Sequence, residues 1–148
     1  MEIIVKNRQQ ARKDSFKSLD KTVAIISINT PCDDLNKFNR CIAIRRVLYL
    51  IFDDVEYVNM EHGIFMSETD AQKINEFVSW CKKADIEELW VHCDAGVSRS
   101  AGVAGAIMEF LEGDNAKIFS NPNFYPNMWC YDLTLKALRE DNKNGKDK

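Results

Sequence analysis

The stretch Val91-His92-Cys93-Asp94-Ala95-Gly96-Val97-Ser98-Arg99-Ser100 decides how the chain reads. The apolar run Leu89-Trp90-Val91 leads into it, and a small-residue helical pattern follows over 100–111. A thiol therefore lies on a short loop between a strand and a helix N-terminus. A guanidinium closes the other end of that loop. Five residues separate Cys93 from Arg99, enough to curl the backbone round a tetrahedral oxyanion with successive N–H groups pointing inward. The helix start adds free N–H groups and the positive end of its dipole. Gly96 allows a positive φ or a close approach of backbone to ligand. Arg99 can grip two phosphate oxygens with its planar fork, which Lys cannot do. The same positive surroundings favour Cys93 as a thiolate, the nucleophilic form.

Around this loop, strand and helix patterns alternate. Short strands are predicted at 3–5, 22–28, 46–52 and 88–91. The run Thr22-Val23-Ala24-Ile25-Ile26-Ser27-Ile28 is nearly continuous in apolar character, which predicts burial on both faces, as in a parallel sheet. The segment 7–17 reads as helix or loop, and 32–40 as loop. An amphipathic helix is predicted over 67–84, with Ser67 and Asp70 as a capping signal and Ile74, Phe77, Val78 and Cys81 on its apolar face. The helix over 100–111 is rich in Ala and Gly, so it should pack closely at the centre of the fold, stopping at Gly113. A turn-rich loop over 121–127 precedes a last helix over 127–140, with apolar spacing at Met128, Tyr131, Leu135 and Leu138. The pattern predicts an α/β layer architecture.

Size and composition bound the rest. The chain has 148 residues, 45% of them hydrophobic, and a net charge of −3. One domain is expected over 1–141, with a disordered tail over 142–148. No basic block points to nucleic acid, and no apolar run approaches the ~20 residues of a membrane helix. The N-terminal residues are too few and too charged for a signal peptide. Five cysteines at irregular spacing and two histidines give no zinc pattern and fit a reducing cytoplasm. Cys32, Cys41, Cys81 and Cys130 read as packing residues.

The His-Cys pair, a Gly three residues after the Cys, then Arg and Ser resemble the signature of the cysteine-dependent protein tyrosine phosphatases. Ala95-Gly96 and Ser98-Arg99-Ser100 look most like the dual-specificity branch. The resemblance covers about residues 88–112. It implies a central, mainly parallel sheet flanked by helices, with the site built by loops at the carboxyl ends of strands. It implies a phosphate or sulfate ion in the loop, held by Asp94, Ala95, Gly96, Val97, Ser98 and Arg99, and no metal or cofactor. It also implies that His92 orients the loop and that Ser100 bonds to the sulfur. Read without it, His92 is a core histidine bonded to backbone and Ser100 a helix cap.

A thiolate can attack phosphorus, but the leaving oxygen needs a proton. Asp53 and Asp54 end the strand over 46–52, on the side of the Cys93 loop if the sheet is parallel. The pattern Leu50-Ile51-Phe52-Asp53-Asp54 best places the acid on Asp54, with Asp53 second. Asp54 lies 39 positions before Cys93, more than most dual-specificity members show, and a longer loop over 55–66 would absorb the excess. Glu61, Glu68 and Asp70 are outside candidates. The expected activity is phosphomonoester hydrolysis through a cysteinyl-phosphate. Because no variable loop residue is basic and Asp94 is acidic, a phosphorylated protein or peptide is the expected substrate. The alternatives are a phosphate-binding module without turnover and a non-protein substrate such as a nucleotide or inositol phosphate. A sulfurtransferase or arsenate-handling enzyme fits the loop length and motif position less well.

Overall fold

The computed structural model describes residues 1–57 and 63–143. The elements follow in the order β1 (Glu2–Asn7), α1 (Arg8–Ser15), β2 (Val23–Asn29), β3 (Ile44–Ile51), α2 (Glu68–Lys83), β4 (Glu88–Cys93), α3 (Arg99–Glu112), α4 (Ala116–Phe119) and α5 (Met128–Lys143). Among the described residues the strands form one sheet in the order β1-β4-β2-β3, and every pairing is parallel. This is the predicted α/β fold, a central parallel sheet flanked by helices.

The two central strands are the most apolar. All seven residues of β2 are buried, as its nearly continuous apolar run predicts. Alternation sorts the side chains between two cores. Ala24, Ile26, Ile28, Leu89, Val91 and Cys93 join the larger core with α2, α3 and α5. Val23, Ile25 and Trp90 pack on the opposite face with Ile4, Phe38 and Val47. At the edge, β3 exposes Arg45 and Arg46.

The helices follow local signals. Ser67 and Asp70 form a full capping box on α2, and Ile74, Phe77, Val78 and Cys81 are buried on one face, as predicted. Every residue of α3 from Arg99 to Met108 is buried, and Gly113 ends the helix with φ 69°. Small side chains make that central position possible: a Cβ on Gly102 would lie 2.4 Å from the Asn127 carbonyl oxygen.

Several expectations are corrected. The undecided segment after residue 7 is helical because Asn7 caps it, its side chain accepting from Gln10 N–H. The short α4 carried no periodicity to detect. In α5 the buried face includes Cys130, Leu135, Ala137 and Leu138, whereas Met128 is exposed. Cys81 and Cys130 are core residues, but Cys32 is exposed and Cys41 half-buried, so neither of these packs a core. Cys32 sits in a turn with φ 71°. The helix α5 runs to Lys143, and residues 144–148 of the expected tail lie outside the described residues.

Candidate active site

A parallel sheet brings the carboxyl ends of its strands to one edge. Asn7 pairs with Cys93, Ser27 with His92, and Asn29 with Ile51. The four segments that follow these strands therefore meet at one place, and the Cys93 loop lies among them.

Three of the loop's carbonyls are turned outward. The Asp94 oxygen accepts from Arg8 N–H at 3.1 Å, the Val97 oxygen from Tyr125 N–H at 2.9 Å, and the Ser98 oxygen from Asn127 N–H at 2.9 Å. In a trans peptide the C=O and the following N–H point opposite ways. The N–H groups of Ala95, Ser98 and Arg99 are thus turned away from those partners, toward the inside of the curl, as an anion nest requires. Gly96 takes φ +69°, and a Cβ there would lie 2.7 Å from Asn7 N. Both reasons for a glycine hold at once: a left-handed backbone and a close approach.

Cys93 is buried at the base of this curl. Its Sγ lies 3.0 Å from Ser100 Oγ. Ser100 is inside α3 and makes no cap. The residue at the cap position, Ser98, has no capping hydrogen bond either; its hydroxyl donates to Asp54 Oδ1 at 2.9 Å. The first N–H groups of α3 thus have no side-chain cap competing with an anion.

His92 points to the other face of the sheet and is fully buried. Its Nδ1 lies 3.1 Å from the Cys93 carbonyl oxygen, so Nδ1 carries the hydrogen. Nε2 then accepts from the Ser27 hydroxyl at 2.6 Å and the Asn36 amide at 3.4 Å. Asn29 donates to Ser27 Oγ at 3.1 Å, which leaves the Ser27 hydrogen free for His92. Burial pushes the His92 pKa down to about 4, and Arg8 and Arg99 act in the same direction. The ring is neutral near pH 7 and buttresses the loop through the Cys93 carbonyl. By contrast, burial pushes the Cys81 thiol up to about 12 and raises Cys130 as well, as suits packing residues.

Arg99 is 5% exposed. Its five N–H donors can be followed one by one. Nη1 donates to the Phe52 carbonyl at 2.7 Å and to Thr30 Oγ1 at 3.1 Å. Nη2 donates to Asp94 Oδ2 at 3.2 Å. Thr30 Oγ1 itself donates to Asp94 Oδ2 at 2.8 Å, so Thr30 and Asp94 share the end edge of the guanidinium. Nε is buried without a partner. Nε–H and the second Nη2 hydrogen form the remaining edge, the one that can hold two oxygens of a phosphate.

The two aspartates separate cleanly. Asp53 Oδ2 accepts from Ile64 N–H at 2.7 Å, and the two backbones add a 2.8 Å bond, closing the loop after β3. Asp54 reaches the Cys93 loop instead: its Oδ1 accepts from Ser98 Oγ at 2.9 Å and from Asn127 Nδ2 at 2.8 Å. Of the outside candidates, Asp70 is held in the α2 capping box, and Glu68 lines a groove between α2 and α5. Glu61 lies outside the described residues.

Asn127 is the main residue that sequence reasoning missed. It is fully buried. Its Nδ2 also donates to the Val55 carbonyl at 2.9 Å, its Oδ1 accepts from Cys130 N–H at 3.0 Å, and its N–H holds Ser98. Asn127 thus ties Asp54, the Cys93 loop and the start of α5. The sequence showed only a turn-rich loop over 121–127 leading into a helix. Ser27, Asn29, Thr30 and Asn36 were also missed; only Ser27, a polar residue inside an apolar strand, carried a local sign. No group of three or more His, Cys, Asp or Glu side chains is placed to hold a metal ion among the described residues, and no described helix is long and apolar enough to cross a membrane.

No family model matches the chain, and no curated protein matches it significantly. Solved structures do. Human tyrosine phosphatase-like serine/threonine/tyrosine-interacting protein superposes with a TM-score of 0.65 at 20% identity, covering 97% of this chain and 93% of that one. A mouse putative dual specificity phosphatase, solved with zinc tungstate, gives 0.64 at 15% identity over 97% and 86%. PTPMT1, solved with PI(5)P, gives 0.58 at 16% identity over 97% and 94%.

Proposed function

Working from a chain with the cysteine-dependent protein-tyrosine-phosphatase fold, in its dual-specificity-like form, we propose that it hydrolyses phosphomonoesters through a cysteinyl-phosphate. One observation carries the reading: a buried guanidinium with one edge unpartnered closes a curl of outward-turned carbonyls that begins at a buried thiol. A buried N–H without a partner calls for an explanation, and a bound phosphate oxygen supplies it. The solved mouse relative holds tungstate, a tetrahedral oxyanion of similar shape.

Cys93, as thiolate, attacks phosphorus in line. The S–P bond forms as the P–O bond to the leaving group breaks. Asp54, protonated, gives its proton to the leaving oxygen. Water then attacks phosphorus, the S–P bond breaks, and Asp54 takes the water proton. Arg99 and the inward N–H groups hold the equatorial oxygens throughout. Ser100, 3.0 Å from the sulfur, donates to it as the S–P bond breaks and so eases its departure. Asp54 is the acid in this scheme because its carboxylate meets the phosphate loop, whereas that of Asp53 closes its own loop.

A phosphorylated protein or peptide is the substrate class this reading favours. Glu56, Tyr57, Tyr125, Pro126 and Met128 line an open cavity of about 210 Å³. It lies between the acid loop and the segment bonded to Val97, with room for an apolar side chain beside a phosphoresidue. The test uses p-nitrophenyl phosphate. Wild type turns it over with a bell-shaped pH profile, and Cys93→Ser abolishes turnover while retaining phosphate binding. Asp54→Asn slows alkyl phosphates much more than aryl phosphates, since good leaving groups need no proton. A wild-type protein that binds phosphate without turnover would instead make the chain a phosphate-recognition module.

A further inference from the structure

We propose that Asp94 restricts this site to substrates with one phosphate near the reacting end, by neutralising Arg8, which would otherwise hold a second one. The inference rests on the phosphate-binding reading above and adds a substrate class to it. Arg8 lies outside the signature loop, at the junction of β1 and α1. Its N–H donates to the Asp94 carbonyl, which places it at the rim. Its guanidinium donates to Asn29 Oδ1 at 3.1 Å and to the Asp34 carbonyl, so the fork is already oriented. Nη1 is 3.8 Å from Asp94 Oδ1, and the Arg8 side chain remains 29% exposed. The other oxygen of the same carboxylate meets Arg99 at 3.2 Å. One carboxylate therefore bridges two guanidinium ions, one inside the curl and one at its mouth.

The consequence is electrostatic. A phosphate in the curl takes the free edge of Arg99 and leaves Asp94 in place on the end edge. A second phosphate on a neighbouring ring carbon has Arg8 as its oriented cation, but reaches it only against the Asp94 charge. The Asp94 side chain is 43% exposed and only 3.8 Å from Arg8, and like-charge juxtaposition at this rim disfavours a second phosphate. Without Asp94, the same Arg8 fork suits a phosphate.

Calorimetric binding of inositol monophosphates and of inositol bisphosphates with adjacent phosphates tests this at low salt, with inorganic phosphate as the control for a folded site. The readout is the ratio of the two affinities. In wild type the bisphosphate gains no more than about threefold, the allowance for its extra charge. In Asp94→Asn the ratio rises by about tenfold or more, the scale expected when one like charge leaves a close contact. In the double variant Asp94→Asn/Arg8→Gln it returns to the wild-type value. A ratio unchanged in Asp94→Asn, or raised equally in the double variant, overturns the proposal. So does an Asp94→Asn protein that binds inorganic phosphate but no bisphosphate. Turnover of p-nitrophenyl phosphate is measured separately, so loss of the enzymatic reading leaves this outcome readable.

Discussion

Ser27 interrupts the aliphatic run of β2, and His92 stands opposite it in register. Together with Asn29 and Asn36 they form a polar cluster in which His92 is held neutral by burial. The unfolded chain protonates this histidine near its ordinary value of ~6.5, whereas the folded chain does so only near pH 4. Between those values the unfolded state binds more protons, so stability falls as pH falls. The loss contributed by His92 amounts to about 3 kcal/mol by pH 4. Urea unfolding between pH 7.5 and 4 should show this slope in wild type and a much shallower one in His92→Gln; parallel curves would remove the argument. Cys93, Arg99 and Gly96 were legible because each serves a local geometry that its neighbours in sequence announce. Asn127 was not, since its partners lie 73 and 72 positions away at Asp54 and Val55. Asp54 and Asp53 could be ranked from sequence but parted only by where β3 releases the chain.

At the level of elements, α3 depends on residues without side chains to spare. Gly102 faces the Asn127 carbonyl at a distance no Cβ tolerates. Gly102→Ala must push the segment that carries Asn127 away from α3, and with it the anchor of Asp54. The expected cost is about 1–3 kcal/mol of stability, typical of overpacking. Activity toward alkyl phosphates should fall further than activity toward aryl phosphates, because Asp54, the proposed acid, is displaced. Denaturant midpoints and the two rates, measured on one preparation, check this; an unchanged rate ratio would detach Asn127 from the acid. The helical character of α2, α3 and α5 followed from periodicity and caps. Which face of α5 is buried did not, because Met128 and Tyr131 share the helical spacing of Leu135 and Leu138. Only the position of α3 and of the sheet selects Cys130 and Ala137 for the core.

Across the whole molecule, the site is a junction of four segments that are far apart in the chain, and a bound anion should tighten all of them. A ligand at a hundred times its Kd stabilises the folded state by about 2.7 kcal/mol. For a domain of this size that corresponds to a rise in Tm of roughly 5–10 °C. Thermal melts with saturating phosphate or tungstate should show it in wild type. Arg99→Lys, which keeps the charge but loses the fork, should lose most of the shift; a full shift in that variant would mean the anion binds elsewhere. The alternation of strands and helices, the buried central strand and the curled loop between β4 and α3 were all readable from the chain alone, because each arises from interactions within about a dozen residues. The strand order, the outward carbonyls, the partnering of Arg99 by Thr30 and Phe52, and the tie from Asn127 to Asp54 were not. Those contacts join segments that no local pattern relates, and they exist only once the parallel sheet has brought its carboxyl ends to a common edge.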